Sequence, residues 1–231
     1  MNIRLFNARI LTMQTKEIVE GEVWVQGERI LYVGDGADAD AVFDRLHLQS
    51  IVWDREIDCL GNLLMPGFKD AHTHSGMTLL RSYADDLPLQ EWLNEQIFPV
   101  EAKMSAQMIY HLTQLAVLEY LTGGITAIFD MYLTPESIAD ACVDMGMRCV
   151  QVGAVNNFSQ SPELVEQMYQ ALNDRHPLLS YMIGFHAEYT CSKELLERIV
   201  QLSHQYRAPV YAHISETASE VEACRERYGM T

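Results

Sequence analysis

Hydrophobic and polar positions follow one rule in the first quarter of the chain and another in the rest. Over residues 1–60 the apolar positions come in short runs or alternate with polar ones, as half-buried strands do. Ile3–Phe6, Ile10–Met13, Glu22-Val-Trp-Val-Gln26, Ile30–Gly34 and Ile51–Ile57 read as strands, with a hairpin turn at Gly27-Glu-Arg29. No helical periodicity interrupts them, so a small antiparallel layer is expected.

From Gly61 onward, strand-like and helix-like patterns alternate. Leu63–Phe68 reads as a buried strand and the stretch from Leu89 to Phe98 as a helix. Ser105–Leu121 carries Ile109, Leu112, Leu115, Ala116 and Leu118 at helical spacing and stops at Gly123-Gly124. Strands Ile125–Phe129, Arg148–Val152, Leu179–Phe185 and Ala208–Ala212 then alternate with helices Pro135–Met145, Pro162–Asn173, Lys193–Tyr206 and Ala218–Tyr228. Ser192 is placed to cap the third of these helices. Alternation of this kind implies parallel βαβ units with right-handed crossovers. Residues 61–231 hold five such units, where a closed (β/α)8 barrel has eight. The expected fold is therefore α/β: the first five units of a (β/α)8 (TIM) barrel, preceded over residues 1–60 by part of a β-sandwich domain.

Chemistry enters at the strand ends. In Met65-Pro-Gly-Phe-Lys-Asp-Ala-His-Thr-His74, two histidines stand one residue apart, and alternate side chains of a strand share a face. Alone, His72 and His74 would read as solvated loop histidines. Tyr211-Ala-His213-Ile-Ser-Glu216 supplies a third histidine at a strand end, with a carboxylate three residues on. Neutral imidazole is the commonest metal ligand near neutral pH, so the two motifs read as halves of one metal site. His186 also falls at a strand end, on the face that carries the chemistry of a barrel.

Composition narrows the partners. The chain has 231 residues, 48% of them hydrophobic, which suffices for a real core. A net charge of −16, from 32 acidic and 16 basic residues, argues against nucleic acid or an anionic membrane surface. Five scattered cysteines without a Cys-x-x-Cys read as reduced thiols, and no apolar run approaches membrane-spanning length. A cytoplasmic protein is expected. The twelve methionines read as core filling.

The motif text resembles the amidohydrolase superfamily, and within it the deaminase branch acting on methylthioadenosine and S-adenosylhomocysteine, with chlorohydrolase-type relatives. The matching segments are Met65–His74, Met77–Arg81, Ala84–Leu93, Pro99-Val-Glu101, Gly123–Thr126, Phe129–Tyr132 and His213–Glu216. The resemblance implies that His72, His74 and His213 hold one divalent metal, zinc first and iron as the alternative. It makes Glu216 the proton shuttle, Glu101 a contact to ribose hydroxyls and His186 a substrate contact. It also implies hydrolytic deamination of a small aminopurine nucleoside, in a protein that can form a homo-oligomer. Members of the family complete the site with a histidine after the sixth strand and an aspartate after the eighth, positions that follow Thr231.

One departure concerns the substrate's tail. The resemblance places an arginine after the third strand, where this chain has Gly153; Arg148 lies at the wrong end of that strand, and Asn156 or Asn157 is the expected partial substitute. Competing expectations are a hydrolase or dechlorinase of another N-heterocycle, and a non-catalytic or partner-dependent barrel fragment. His47, His111, His176 and His204 read as surface residues, Asp85 and Asp86 as loop-shaping, and Trp92 as packing, with a place in a pocket wall as its alternative.

Overall fold

The computed structural model describes residues 1–45 and 51–230, so His47 lies outside the described residues. The contacts divide the chain into two compact units, Met1–Gly67 and Phe68–Thr231.

The N-terminal unit is built on β1 (Asn2–Leu11). On one side β2 (Ile18–Gln26) pairs antiparallel with β1, and β3 (Arg29–Gly34) antiparallel with β2. The turn between β2 and β3 runs through Gly27, whose φ of 58° suits a residue without Cβ. After a short helix, α1 (Ala39–Arg45), β4 (Arg55–Asp58) and β5 (Leu63–Leu64) pair parallel with the other edge of β1. The sheet is thus mixed, not the antiparallel layer expected. The strands anticipated at Ile3–Phe6 and Ile10–Met13 are one strand with a bulge between Leu5 and Ala8, where Asn7 adopts φ 52°. Trp24 packs among Tyr32, Phe43 and Trp53, with ring centroids 4.6, 5.4 and 5.5 Å away.

The second unit carries five parallel strands in sequential order: β6 (Phe68–Thr73), β7 (Ile125–Asp130), β8 (Arg148–Val152), β9 (Leu179–Ala187) and β10 (Val210–His213). The expected first strand, Leu63–Phe68, is displaced. Pro66-Gly67 breaks the run, Leu63–Leu64 joins the N-terminal sheet, and the strand bearing the histidine motif begins only at Phe68. Between β6 and β7 come α2 (Leu89–Glu91), a π-helical stretch Trp92–Ile97, α3 (Phe98–Glu101) and α4 (Ala106–Thr122). Helices α5 (Pro135–Met145), α6 (Pro162–Leu172) and α7 (Lys193–Tyr206) link the later strands, and α8 (Ala218–Tyr228) follows β10.

Local chemistry explains where these helices start and stop. Ser105, Ser161, Ser192 and Thr217 cap α4, α6, α7 and α8, each accepting a backbone N–H three residues on. Gly146 ends α5 at φ 72°. The helices cover the outer face of the sheet with a core that includes Ile109, Val117, Ile128, Ile138, Ile183 and Ile199. Cys142 and Cys149 lie in this core as buried free thiols. On α4, Ile109 and Ala116 point inward as expected, whereas Leu115 and Leu118 are exposed. The sheet curls strongly: flat strands spaced about 4.8 Å apart would hold the edges of five strands roughly 19 Å apart. Here the rings of His72 and His213, from the two edge strands, have centroids only 4.8 Å apart. The result is a curled parallel half-barrel with both histidine motifs at the C-terminal ends of its strands.

Candidate metal centre and active site

Curling the sheet brings His72 and His74 from the end of β6 to His213 at the end of β10. One ring nitrogen from each lies within 4.8 Å of the others. The pairwise ring-centroid distances are 4.9, 4.8 and 5.3 Å. His186, at the end of β9, stands 5.2 Å from His213.

Hydrogen bonds decide which nitrogen each ring offers. His74 Nδ1 is 2.5 Å from the carbonyl of Met131, and His213 Nδ1 is 2.7 Å from the carbonyl of His186. A carbonyl only accepts, so both rings carry their proton on Nδ1 and leave Nε2 with a free lone pair. The hydroxyl of Thr190 donates to Ala187 O, so its oxygen accepts from His186 Nδ1 at 3.0 Å, and the same tautomer follows. Burial, first of all, favours the uncharged form of His72, His74 and His186. His74 is pushed down to about 4 by burial above all. His186 is pushed down to about 4 by burial and then by His213, and His72 is lowered by the same two causes. Three imidazoles gathered at one point, two of them with Nε2 lone pairs left available, form a donor set suited to a borderline divalent ion. The residues present therefore fit the implied metal.

A cavity of about 500 Å³ opens beside this cluster. Of the six residues nominated from the sequence, His74, Glu101, His186, His213 and Glu216 line it; His72 belongs to the histidine cluster but not to the cavity wall. Glu216 lies beyond the end of β10, where its Oε2 accepts from the Tyr189 hydroxyl at 3.2 Å. Its backbone N–H donates to Glu220 Oε2 at 2.6 Å, while the Glu220 N–H donates to Thr217 Oγ1 at 3.2 Å. This variant of the capping box ties the position of Glu216 to the start of α8. Glu101, at the end of α3, has its carboxyl raised by burial, an effect opposed by a hydrogen bond with Tyr132.

Much of the remaining lining is apolar. Trp92, Phe98 and Phe158 face the cavity; Phe98 and Phe158 pack at 5.7 Å. Trp92 is a cavity residue, anchored by its Nε1–H to Tyr83 O at 2.8 Å, rather than packing alone. At Gly153 a Cβ would meet Val165 Cγ2 at 2.6 Å and Gly184 O at 3.1 Å, so that position is filled by the sheet and α6. Of the expected substitutes, Asn156 lines the cavity. Asn156 spends its amide on Ala154 O and Ser159 Oγ, and its Oδ1 on the N–H groups of Phe158 and Ser159. Asn157 accepts from Ser192 N–H at 3.0 Å. His111 and His204 are exposed as expected, but His176 is half-buried and accepts from Leu178 N–H.

Two polar residues escaped the sequence reading. Asp130, fully buried at the end of β7, accepts from Ser75 N–H at 3.2 Å, and burial pushes its carboxyl up to about 7. Its strand-end position was the available signal. Tyr189 sits in the short turn Glu188–Thr190, where no pattern marks it.

Comparison with known proteins agrees with this geometry. The Amidohydrolase family model matches residues 63–231. The 5-methylthioadenosine/S-adenosylhomocysteine deaminase of Desulfitobacterium hafniense is 37% identical over 237 residues, covering 98% of this chain and 52% of that protein. Its namesake from Pelotomaculum thermopropionicum is 36% identical, covering 100% and 53%. The chain thus spans about half the length of the curated relatives it matches. A zinc-bound adenosine deaminase from Xanthomonas campestris superposes with a TM-score of 0.86 at 30% identity, over 99% of this chain and 52% of that one. Triazine hydrolase from Arthrobacter aurescens shares the fold, with a TM-score of 0.82 at 19% identity over 100% and 56%. With a histidine cluster at the strand ends of a curled parallel sheet and a family match over most of its length, the chain belongs to the amidohydrolase family.

Proposed function

We propose that the complete protein is a zinc-dependent hydrolase that deaminates an aminopurine nucleoside of the methylthioadenosine or S-adenosylhomocysteine type. The observation that carries this reading is the cluster of His72, His74 and His213 beside a cavity of about 500 Å³ that Glu216 and Glu101 also line. When bound, the ion supplies Lewis acidity that lowers the pKa of water from 15.7 toward about 7. Glu216 accepts the proton of the attacking water and passes it to a ring nitrogen of the base; the water oxygen adds to the amino-bearing carbon, and the proton left on that oxygen reaches the amino group as the C–N bond breaks and ammonia leaves. The Tyr189 hydroxyl holds the carboxylate that makes this transfer. Glu101 accepts hydrogen bonds from ribose hydroxyls. His186, with its proton engaged on Thr190, offers Nε2 as an acceptor to the substrate. Trp92, Phe98 and Phe158 form an apolar wall that excludes water around the base.

The curated relatives named as deaminases and the adenosine deaminase with bound zinc support the substrate class and the ion. Ammonia release by the complete, zinc-loaded protein, assayed with methylthioadenosine, S-adenosylhomocysteine and adenosine, tests the proposal. Turnover of at least one is expected. Zinc binding without ammonia release from any of the three would overturn it.

A further inference from the structure

One polar side chain on the concave face of the sheet takes no part in the chemistry above. Tyr211 lies on β10, two residues before His213, so both side chains emerge on the same face of that strand. Its ring stacks on Phe129 of β7, with centroids 5.8 Å apart and planes 29° from parallel. From there its hydroxyl reaches the opposite edge of the sheet. It donates to the carbonyl of Ala71 on β6 and lies 3.4 Å from Nδ1 of His72.

A phenol has one proton to give. Because the carbonyl of Ala71 takes it, the oxygen meets His72 through a lone pair, and the imidazole supplies the Nδ1–H. His72 then carries the same tautomer as His74 and His213, with Nε2 left free. The difference lies in the partner. Main-chain carbonyls hold His74 and His213, whereas a side chain from the far edge strand holds His72. Ring partners of this kind fix both the tautomer and the orientation of a metal-binding histidine.

We propose that Tyr211 is the positioning residue of His72, tying β10 to β6 across the concave face and holding the imidazole in its Nδ1–H form beside His74 and His213. The proposal rests on the reading of His72, His74 and His213 as the metal ligands.

Tyr211→Phe in the complete protein keeps the ring and its stacking on Phe129 and removes only the hydroxyl. Zinc affinity, measured by competition with a chromogenic chelator, is expected to weaken by roughly 10- to 100-fold, the usual cost of losing such a partner. The metal-free variant should melt within a few degrees of the metal-free wild type. In histidine-labelled protein, long-range ¹H–¹⁵N spectra should show the His72 nitrogen signals shifting while those of His74 and His213 keep the wild-type pattern. Zinc affinity within twofold of wild type would overturn the proposal. So would a weakening matched by a collapse of the metal-free melting temperature, which would make Tyr211 a tie for the fold alone. Failure of the wild-type protein to bind zinc would instead remove the ligand reading, and this inference with it.

Discussion

His74 and His213, at the ends of the two edge strands, are tied through Nδ1 to main-chain carbonyls at 2.5 and 2.7 Å. In the same cavity, Trp92 and Phe98 sit on the helical stretch after β6 and Phe158 on the loop after β8, and they reach it through packing and one indole hydrogen bond. The first region is held by the sheet itself, with partners that cannot rotate away. The second is held by segments whose geometry the sheet does not impose. On the proposed reading, a half-barrel of this kind separates reaction from selection: strand ends would set the ion and the proton chemistry, and loops what fits against them.

The comparison is broken most severely at a strand end. His74→Ala should weaken zinc binding by roughly 10²- to 10³-fold, since apparent zinc free energies of about 10–16 kcal/mol are shared among a few ligands and each 1.4 kcal/mol is tenfold. Metal content after dialysis against a chelator checks this. If His74→Ala retains stoichiometric zinc, the ligand assignment at β6 is wrong.

Glu216→Gln separates the two tasks of the strand-end region. The amide keeps the size of the side chain and can still accept from Tyr189, but it cannot take a proton. Zinc content should stay at the wild-type level while kcat falls by roughly 10²- to 10⁴-fold. Retained turnover would take the proton-shuttle role away from Glu216. On the loop side, Trp92→Ala should leave zinc binding alone and raise KM about tenfold with a smaller change in kcat, the signature of lost ground-state binding. A fall in kcat alone would place Trp92 with the reacting groups.

Legibility in the sequence follows the same division. The histidine motifs could be read because a strand end needs few residues to state its chemistry, and because alternation fixes which of them share a face. The strand that bears the first motif was misplaced for a related reason. Lys69, Asp70 and His72 interrupt β6 with polar side chains, so the apolar run that seemed to mark it ended as the true strand began. Helix α4 is legible, its buried face only in part. Apolar residues occur on more than one side of it, and periodicity alone could not choose between Ile109 and Ala116 on one side and Leu115 and Leu118 on another. The parallel additions of β4 and β5 to β1 depend on pairings some fifty residues apart, which no local pattern encodes. Tyr189 joins the site only through tertiary placement of its turn, so its role stays silent in the sequence.

The smallest expected effect tests where the boundary between the two regions falls. Glu216 belongs to neither cleanly: it follows β10, yet its backbone is fixed from α8. Ser215 before it takes φ 56°, a left-handed conformation that a residue with a Cβ adopts at some cost. Glu220, itself buried, holds that turn by accepting the Glu216 N–H at 2.6 Å. Glu220→Ala removes the acceptor and its tie to the turn before α8, which should cost about 0.5–1.5 kcal/mol of stability. It should also lower kcat several-fold by loosening the carboxylate. Zinc affinity should not change, because His213 is anchored upstream on β10 through the carbonyl of His186. Glu220→Gln, whose amide oxygen can still accept, should restore most of the lost kcat. If zinc affinity falls together with kcat in Glu220→Ala, the start of α8 supports the metal ligands as well as the carboxylate, and the division between strand ends and loops has to be redrawn beyond Glu220.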